Sequence, residues 1–522
     1  MKHKGKIHFG TLRPVHPAAV SLLASLALFA SLCLPAAAQR RYENVVEHNP
    51  WNMTSNVCGV RADSVSISQA QLYGSYTDGG FRDLSDAPRH WNAGAFAETV
   101  SHFRRISMTG RFAFDHEEAY DACGSMLSRP GAYPIDILEF TPGRKTRQTY
   151  TVNGGIAAEL SRTVTVGGKM EYSSSNRAKR KDLRYTDYFL DMTVAPSLLL
   201  HLGSRATLGL SYSYRRLAES ISAEELGISS ESYYAFLDKG MMYGSYDVWT
   251  GGSTHLKESG VSGFPLRRNI HGAAVQFESG GFIAELSGTI GGGKAGEKDV
   301  QWYRFRSDGL SMLAGWTSGI HRATLRLSAD RMNTGEDIID KVTENGVTTT
   351  VNYGTRDIYG STLWSVKPEY RILSGRFCGR AGVSLDFSDE VSRTVYPYVG
   401  KVSKFTGEAY VSGLYSIRGF DFGLGLSYRG GLWTDSLDNT DASVAVSAAP
   451  KRLDDLDVQG RWYAACMTHE TARRLTVAAS LRYSFRFGLF LDASARLARG
   501  FHHSSLLGRH RASASVGVGY AF

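Results

Sequence analysis

Histidines beside carboxylates are the first residues in this chain with types and spacing suited to chemistry. His116-Glu117-Glu118 stands with Asp115 and Asp121, a set able to hold a divalent cation or lend a general base. The sequence places it at the start of a long loop, where a solvated cluster is the plainer reading. His502-His503-Ser504 offers paired imidazoles without a third ligand close by. Gly291-Gly292-Gly293-Lys294 lacks the spacing of a phosphate-binding loop and reads as a flexible turn. No Gly-x-Ser-x-Gly elbow is present. Cys58, Cys123, Cys378 and Cys466 fit no zinc spacing and read as free or buried thiols. Covalent or acid–base catalysis needs a reactive group held near an orienting partner. None of these clusters supplies one, so no catalytic residue, cofactor or resident metal is expected.

Arginines are patterned more regularly than histidines. They recur on the polar side of segments that alternate every two residues. Ile106, Met108, Gly110, Phe112 and Phe114 oppose Ser107, Thr109, Arg111, Ala113 and Asp115. Leu475, Val477, Ala479, Leu481, Tyr483 and Phe485 oppose Arg474, Thr476, Ser480, Arg482, Ser484 and Arg486. An arginine facing lipid at mid-membrane costs roughly 2–4 kcal/mol. The expectation is therefore a barrel whose lumen is lined by Arg111, Arg205, Arg215, Arg322, Arg326, Arg380, Arg474, Arg482, Arg486 and Arg496. Asp115, Glu171, Asp330, Asp386 and Asp492 are the acidic residues expected beside them. Cations in excess in a low-dielectric wall favour anionic solutes. Inward Arg–carboxylate pairs bracing the wall explain the same pattern.

The ends of the chain say where such segments would be used. Lys2, Lys4, Lys6 and Arg13 precede an apolar run from Ala18 to Leu34, interrupted by serines and Cys33. Ala36-Ala37-Ala38 follows, so residues 1–38 read as a secretory signal peptide cleaved after Ala38. Its removal takes four basic residues and no acid, lowering the net charge from +9 to +5. That mild charge on an exported chain does not ask for nucleic acid. At the other end Ser515, Gly517, Tyr520 and Phe522 make a polar residue, a glycine and two alternate aromatics that finish the chain. Here the sequence resembles the bacterial outer-membrane barrel superfamily, whose C-terminal assembly signal has that pattern. The resemblance implies recognition by the barrel-assembly machinery and residence in an outer membrane among lipid and lipopolysaccharide.

The elements that would carry the arginines are thus strands of an all-β, transmembrane, antiparallel up-and-down barrel. Tyrosines number 27 and glycines 56, with no long apolar run in the mature chain, which suits strands that show lipid only alternate residues. Short turns near 101–102, 161–162, 203–204, 279–281, 318–319, 374–375, 418–419 and 487–488 alternate with long polar stretches. Those stretches are 116–147, 173–186, 217–266, 291–307, 331–357, 388–403 and 500–508. With both ends periplasmic the strand number is even, 18 to 20, the choice resting on whether 432–471 adds two strands. Ser443–Ala449 is the weakest strand so counted. Residues 299–306 read as a small hairpin inside a loop. Residues 39–61 are expected as a short periplasmic segment and 62–522 as the barrel.

Over its whole length the mature chain resembles an uncharacterised family of single-domain outer-membrane barrels of Bacteroidetes-type bacteria, through His48-Asn49-Pro50-Trp51-Asn52 and Gln71-Leu72-Tyr73-Gly74. That resemblance implies a barrel and little about function. TonB-dependent receptors carry a large plug domain before the barrel, for which residues 39–61 leave no room. A channel or transporter for small solutes, anionic ones among them, is the first functional expectation. A plugged barrel displaying loops to a partner or glycan is the second, and an outer-membrane hydrolase the third. The loop aromatics Tyr233, Tyr234, Phe236, Tyr243, Tyr246 and Trp249 suit a glycan or a cap folded toward the lumen. The basic run 176–184 suits lipopolysaccharide phosphates on the outer face or plain solvation.

Overall fold

Period-2 alternation gives each strand two faces, and only a closed ring satisfies its backbone in lipid. The computed structural model describes residues 42–522 except 64, 182–183, 204, 224–233, 249–263, 297–300, 345–346, 395–398, 439–457, 503 and 505. The first half of the wall is β1 (Ile67–Asp78), β2 (Arg89–His102), β3 (Ile106–Ser125), β4 (Asp136–Glu159), β5 (Val164–Lys179), β6 (Tyr185–Leu202) and β7 (Ala206–Ala223). β8 (Tyr234–Asp238) and β9 (Gly244–Val248) form a hairpin that leaves the ring and pairs with β4. The wall resumes with β10 (Phe264–Ser279), β11 (Phe282–Gly296), β12 (Gln301–Ser318), β13 (His321–Glu344), β14 (Val347–Leu373) and β15 (Phe377–Ser392). It ends with β16 (Val399–Ile417), β17 (Phe420–Asp438), β18 (Arg473–Ser484), β19 (Leu489–Phe501) and β20 (His510–Ala521).

The result is a closed antiparallel barrel of 18 strands. β1 pairs with β2 on one side and β20 on the other, from Gln69 opposite Ala521 to Asp78 opposite Ala512. Ser68 and Phe522 exchange backbone hydrogen bonds of 3.0 and 2.9 Å at the seam. β17 pairs directly with β18, so no further strand stands between them in the wall. Ser443–Ala449 lies outside the described residues, as does the signal segment 1–38. Around the outside stand exposed Leu72, Phe112, Val152, Leu210, Ile290, Leu310, Leu424 and Val516. So continuous an apolar band on a closed barrel is the surface that faces lipid. Tight turns join the strands at one end. At Gly281 the backbone takes φ +84°, and a Cβ there would stand 2.4 Å from the Thr317 carbonyl oxygen. By the usual rule the short-turn end is periplasmic.

Most of the expected long loops are strand. β3 runs on to Ser125, β4 starts at Asp136, and β13 and β14 form a tall hairpin up to Glu344 and Val347. The 24 residues of β13 make about 80 Å of strand, far more than the roughly 9–11 residues that span a bilayer. Residues 301–306 are likewise the upper part of β12, which corrects the hairpin expected at 299–306. The reason lies in the phase of the alternation. Low on β12, Leu310, Met312 and Trp316 face outward. High on it, Tyr303 and Phe305 are buried inside and Arg304 and Arg306 are outside. Above the membrane the apolar side of the strand turns to the interior, because water has replaced lipid outside.

Candidate functional site

The interior is organised as a plug, a chamber and a cap. The plug is the N-terminal segment: α1 (Tyr42–His48), then single-turn helices at Pro50–Met53 and Val57–Ala62. Asn49 and Asn56 start these two turns, accepting from the backbone N–H of Trp51 and Cys58, each at 3.0 Å. Asn49 Nδ2 also donates to the Gly59 carbonyl at 2.9 Å, folding the segment back on itself. Only glycine fits position 59, where a Cβ would stand 2.2 Å from that of Trp51. Trp51, Cys58 and Val60 bury against Val100, Ala157, Leu199 and Ile283 of the wall. The segment expected below the barrel is therefore folded into its short-turn mouth.

Polar side chains of the wall hold the plug through its backbone and its side chains alike. Arg322, almost fully buried, donates to the Glu47 and His48 carbonyls. Arg326 reaches the Met53 carbonyl at 3.3 Å, and Arg371 stands 3.5 Å from the Glu47 carboxylate. Glu285 accepts from both the backbone N–H and the hydroxyl of Ser55, each at 2.7 Å. Asn56 Nδ2 donates to Gln276 Oε1 at 3.0 Å. Burial pushes the Cys58 thiol up to about 12, keeping it protonated and inert.

The cap closes the long-loop end. Met126, Leu127, Tyr133 and Ile135 of the β3–β4 connection pack with Leu237 of the hairpin and with Leu217, Phe264, Tyr303 and Phe305 of the upper wall. Phe236 buries against Leu138 and Val458. α2 (Ala464–Thr471) folds in from the β17–β18 connection, placing Tyr463 and Met467 against Met241 and Val402. Burial and the facing Asp136 push the Asp238 carboxyl up to about 8. Burial likewise lowers His469 to about 4. Of the loop aromatics, Tyr243 packs in this cap. Tyr234 and Tyr246 lie on the hairpin strands, while Tyr233 and Trp249 fall outside the described residues.

Between plug and cap lies a chamber of about 810 Å³, bounded by Ser55 of the plug and Arg129 of the cap. Asp191 is its electrostatic hub. Arg215 binds it with two bonds, at 2.8 and 2.7 Å, and Arg129 at 2.7 Å. Lys169 pairs with Glu171 at 3.0 Å. Arg268 donates to Ser307 Oγ at 2.9 Å and to the Ala132 carbonyl at 3.2 Å. A second cavity of about 530 Å³ lies beside α1, lined by Glu43, Glu47, Arg371, Arg380 and Arg496.

The arginines expected in the lumen are thus dispersed among several tasks. Arg322 and Arg326 anchor the plug, Arg215 lines the chamber, and Arg380 and Arg496 line the second cavity. Arg111 pairs with Glu98 at 3.0 Å, and Arg482 binds Asp492 at 2.8 and 2.7 Å while stacking on Phe490. Arg474 stands opposite Arg429 on the neighbouring strand. Arg205 and Arg486 lie instead in exposed short turns, Arg205 one residue before β7 begins and Arg486 two residues after β18 ends. Among the acids, Asp115 accepts from Tyr73, Asp386 from Ser365, and Asp330 lines the chamber. Ser515 and Gly517 face inward, Ser515 hydroxyl-bonded to Ser494 at 2.7 Å, and Tyr520 stacks on Phe522. His116, Glu117 and Glu118 sit on β3 rather than in a loop, Glu117 paired with Arg147 and Glu118 with Arg144. Among the described residues no group of three or more His, Cys, Asp or Glu is placed to hold a metal. Of the basic run, Arg177 and Lys179 are buried, on the Leu127 carbonyl and on Glu139. Sequence reasoning missed Arg129 because it lies in the β3–β4 connection, outside any alternating strand, and Arg268 because it stands at the upper end of β10, where the outer face is already polar.

A family model described as a family of unknown function (DUF6850) matches residues 59–522. The chain belongs to that family. No curated protein matches it. Among solved structures it is similar to the FrpB iron transporter from Neisseria meningitidis, F3-3 variant, at 10% identity and a TM-score of 0.43, over 88% of this chain and 82% of that one. It is similar too to BauA, the ferric preacinetobactin receptor from Acinetobacter baumannii, at 7% identity and a TM-score of 0.40, over 88% and 80%. A loop-deletion mutant of OmpT, an outer membrane protein of Vibrio cholerae, has 11% identity and a TM-score of 0.31, over 88% and 99%.

Proposed function

We propose that this barrel is an outer-membrane transporter for a small polar solute, passed through a chamber that the N-terminal plug and the loop cap close from either side. The observation that carries the reading is the polar chamber itself, about 810 Å³ of space walled by hydrogen-bonding groups between two separate closures. A purely structural lumen would be filled by paired side chains. Here Arg129, Lys169, Arg215 and Arg268 face the space against Glu171, Asp191 and Asp330, a slight cationic excess. That excess supports a preference for anionic solutes, weaker than the arginine count in the sequence suggests, because most lumen arginines are spent on carboxylates or on the plug. No catalytic geometry is needed for this role.

The test is conductance of the refolded barrel in a planar bilayer under a salt gradient. Low resting conductance with brief anion-preferring openings supports the reading, and Arg268→Ala should reduce the preference. Steady silence from a folded barrel, even with the plug loosened, would favour a closed barrel that displays its loops to a partner.

A further inference from the structure

The outer face of the wall changes character in one sector. On β10, β11 and β12 the side chains facing lipid are Val275 and Phe277, Leu286 and Ile290, and Leu310, Met312 and Trp316. Continuing each strand toward the long-loop end in steps of two brings Arg267, Lys294, Arg304 and Arg306 onto the same face. The same step sets Arg216 above Tyr212 on β7 and Arg331 above Leu325 on β13. All six are exposed. Register puts Arg267 directly opposite Lys294, and Lys294 directly opposite Arg304. Like charges directly opposed on a sheet destabilise it, so such a row calls for an anion. Among the described residues only Arg304 of the six has an ion-pair partner, Asp337 at 2.9 Å. Asp308, opposite Arg331, offsets one more charge at most. On β15 and β16 the same level holds one acid and one base, Asp389 and Lys401, so the cationic row belongs to this sector.

Just below the cations the wall is hollowed on its lipid side. A groove of about 650 Å³ is floored by Ala273 and Gly288 and walled by Tyr212, Leu310 and Trp364. Tyr212 and the ring nitrogen Nδ1 of His271 share a hydrogen bond of 2.7 Å at the border between the apolar and the charged level. Cations above, a polar aromatic step, and an apolar groove below match the vertical order of one kind of molecule. We propose that this sector binds a phosphorylated, multiply acylated lipid of the outer leaflet. Its phosphates lie on Arg267, Lys294 and Arg306, as charge-assisted hydrogen bonds favour, and an acyl chain lies in the groove. The site is independent of the transport reading.

The experiment is native mass spectrometry of the full-length protein in detergent with diphosphorylated lipid A, its dephosphorylated form, or inorganic phosphate. The variants are the triple Arg267→Glu/Lys294→Glu/Arg306→Glu, Gly288→Phe, and Lys401→Glu as control. All are on the outer surface, and a Cβ at 288 meets nothing nearer than the Gly309 carbonyl at 3.9 Å. Heat-modifiable gel mobility confirms the fold of each. The wild type and Lys401→Glu should retain the diphosphorylated lipid. The triple variant should lose it by about tenfold or more, roughly 1.4 kcal/mol, and Gly288→Phe should weaken it as well. Equal retention by the triple variant overturns the proposal. So does equal binding of the dephosphorylated form, which would leave only non-specific apolar contact. Displacement of the lipid by inorganic phosphate alone also overturns it, reducing the row to a simple anion site.

Discussion

The two ends of the lumen are closed by different chemistry. At the short-turn end, polar side chains of the wall hold the plug by backbone and side chain together: Arg322 on two carbonyls, Glu285 on the Ser55 N–H and hydroxyl, Gln276 on the Asn56 side-chain amide. At the long-loop end, Met126, Leu127, Ile135, Leu237 and Phe305 pack side chain against side chain. A hydrogen bond exchanged for water changes stability by only about 0.5–1.5 kcal/mol, whereas opened apolar packing loses about 25 cal/mol for each Å² exposed. Water entering the short-turn end replaces the plug's partners one for one. Water entering the cap gains no partner for these apolar side chains, although Arg177 on the Leu127 carbonyl and Lys145 and Lys179 on Glu139 add polar ties there. On the proposed transport reading, the plug is the closure that moves and the cap the one that stays.

The largest expected effect on this contrast comes from Trp51→Ala. It removes the apolar anchor of the plug, at about 3–5 kcal/mol. Cys58, buried under that anchor, should then react with a membrane-impermeant maleimide at least about 100-fold faster, taking 1.4 kcal/mol as tenfold. Phe236→Ala should damage the cap by a similar order, speeding proteolysis of the β3–β4 connection while Cys58 stays protected. Exposure of Cys58 in that variant would mean the two closures are one unit. Arg322→Ala removes two bonds from a charged donor, each about 1.5–3 kcal/mol. The two together match the loss in Trp51→Ala, so it should raise Cys58 labelling to a similar extent, with the wall intact by gel mobility.

The smallest effect is a pH dependence confined to the cap. The Asp238 carboxyl has a folded value of about 8, above the usual carboxylate range. Its contribution is therefore complete below the unfolded value near 3.9 and is lost as pH rises through about 8. Proteolysis of the cap should quicken as pH rises from about 4 to about 8 and level off above that, and Asp238→Asn should flatten that rise. A plug that loosened over the same interval would blur the distinction between the ends.

The membrane zone of this barrel was legible in the sequence, and the parts above and inside it were less so. Residues 106–115 and 475–485 alternate against lipid on one side and a polar lumen on the other, so their strands and inward arginines could be read directly. Once a strand leaves the membrane, its outer face meets water, and the alternation reverses. Tyr303 and Phe305 on β12, and Leu217 and Ile221 on β7, therefore read as loop aromatics or loop apolars although they continue the ladder. The plug gave a different difficulty. Pro50, Trp51 and Asn52 carry no periodicity, and what holds them is distant in sequence: Arg322 and Glu285 recognise mostly backbone, which leaves no mark in the residue pattern. Arg205 and Arg486 were misplaced by one and two residues at strand ends, where polarity does not separate a lumen from a turn.

The mobility of the plug can be tested with Ser55 and Ser211, whose hydroxyls lie 2.9 Å apart across the plug–wall boundary. The double variant Ser55→Cys/Ser211→Cys should form a disulfide that fastens the plug to β7. Single-channel recording of this variant, first oxidised and then reduced in the same bilayer, measures whether plug movement opens the chamber. The account predicts a closed barrel when oxidised and anion-preferring openings on reduction. Identical conductance in both states would contradict it, because the plug would then be a fixed part of the wall.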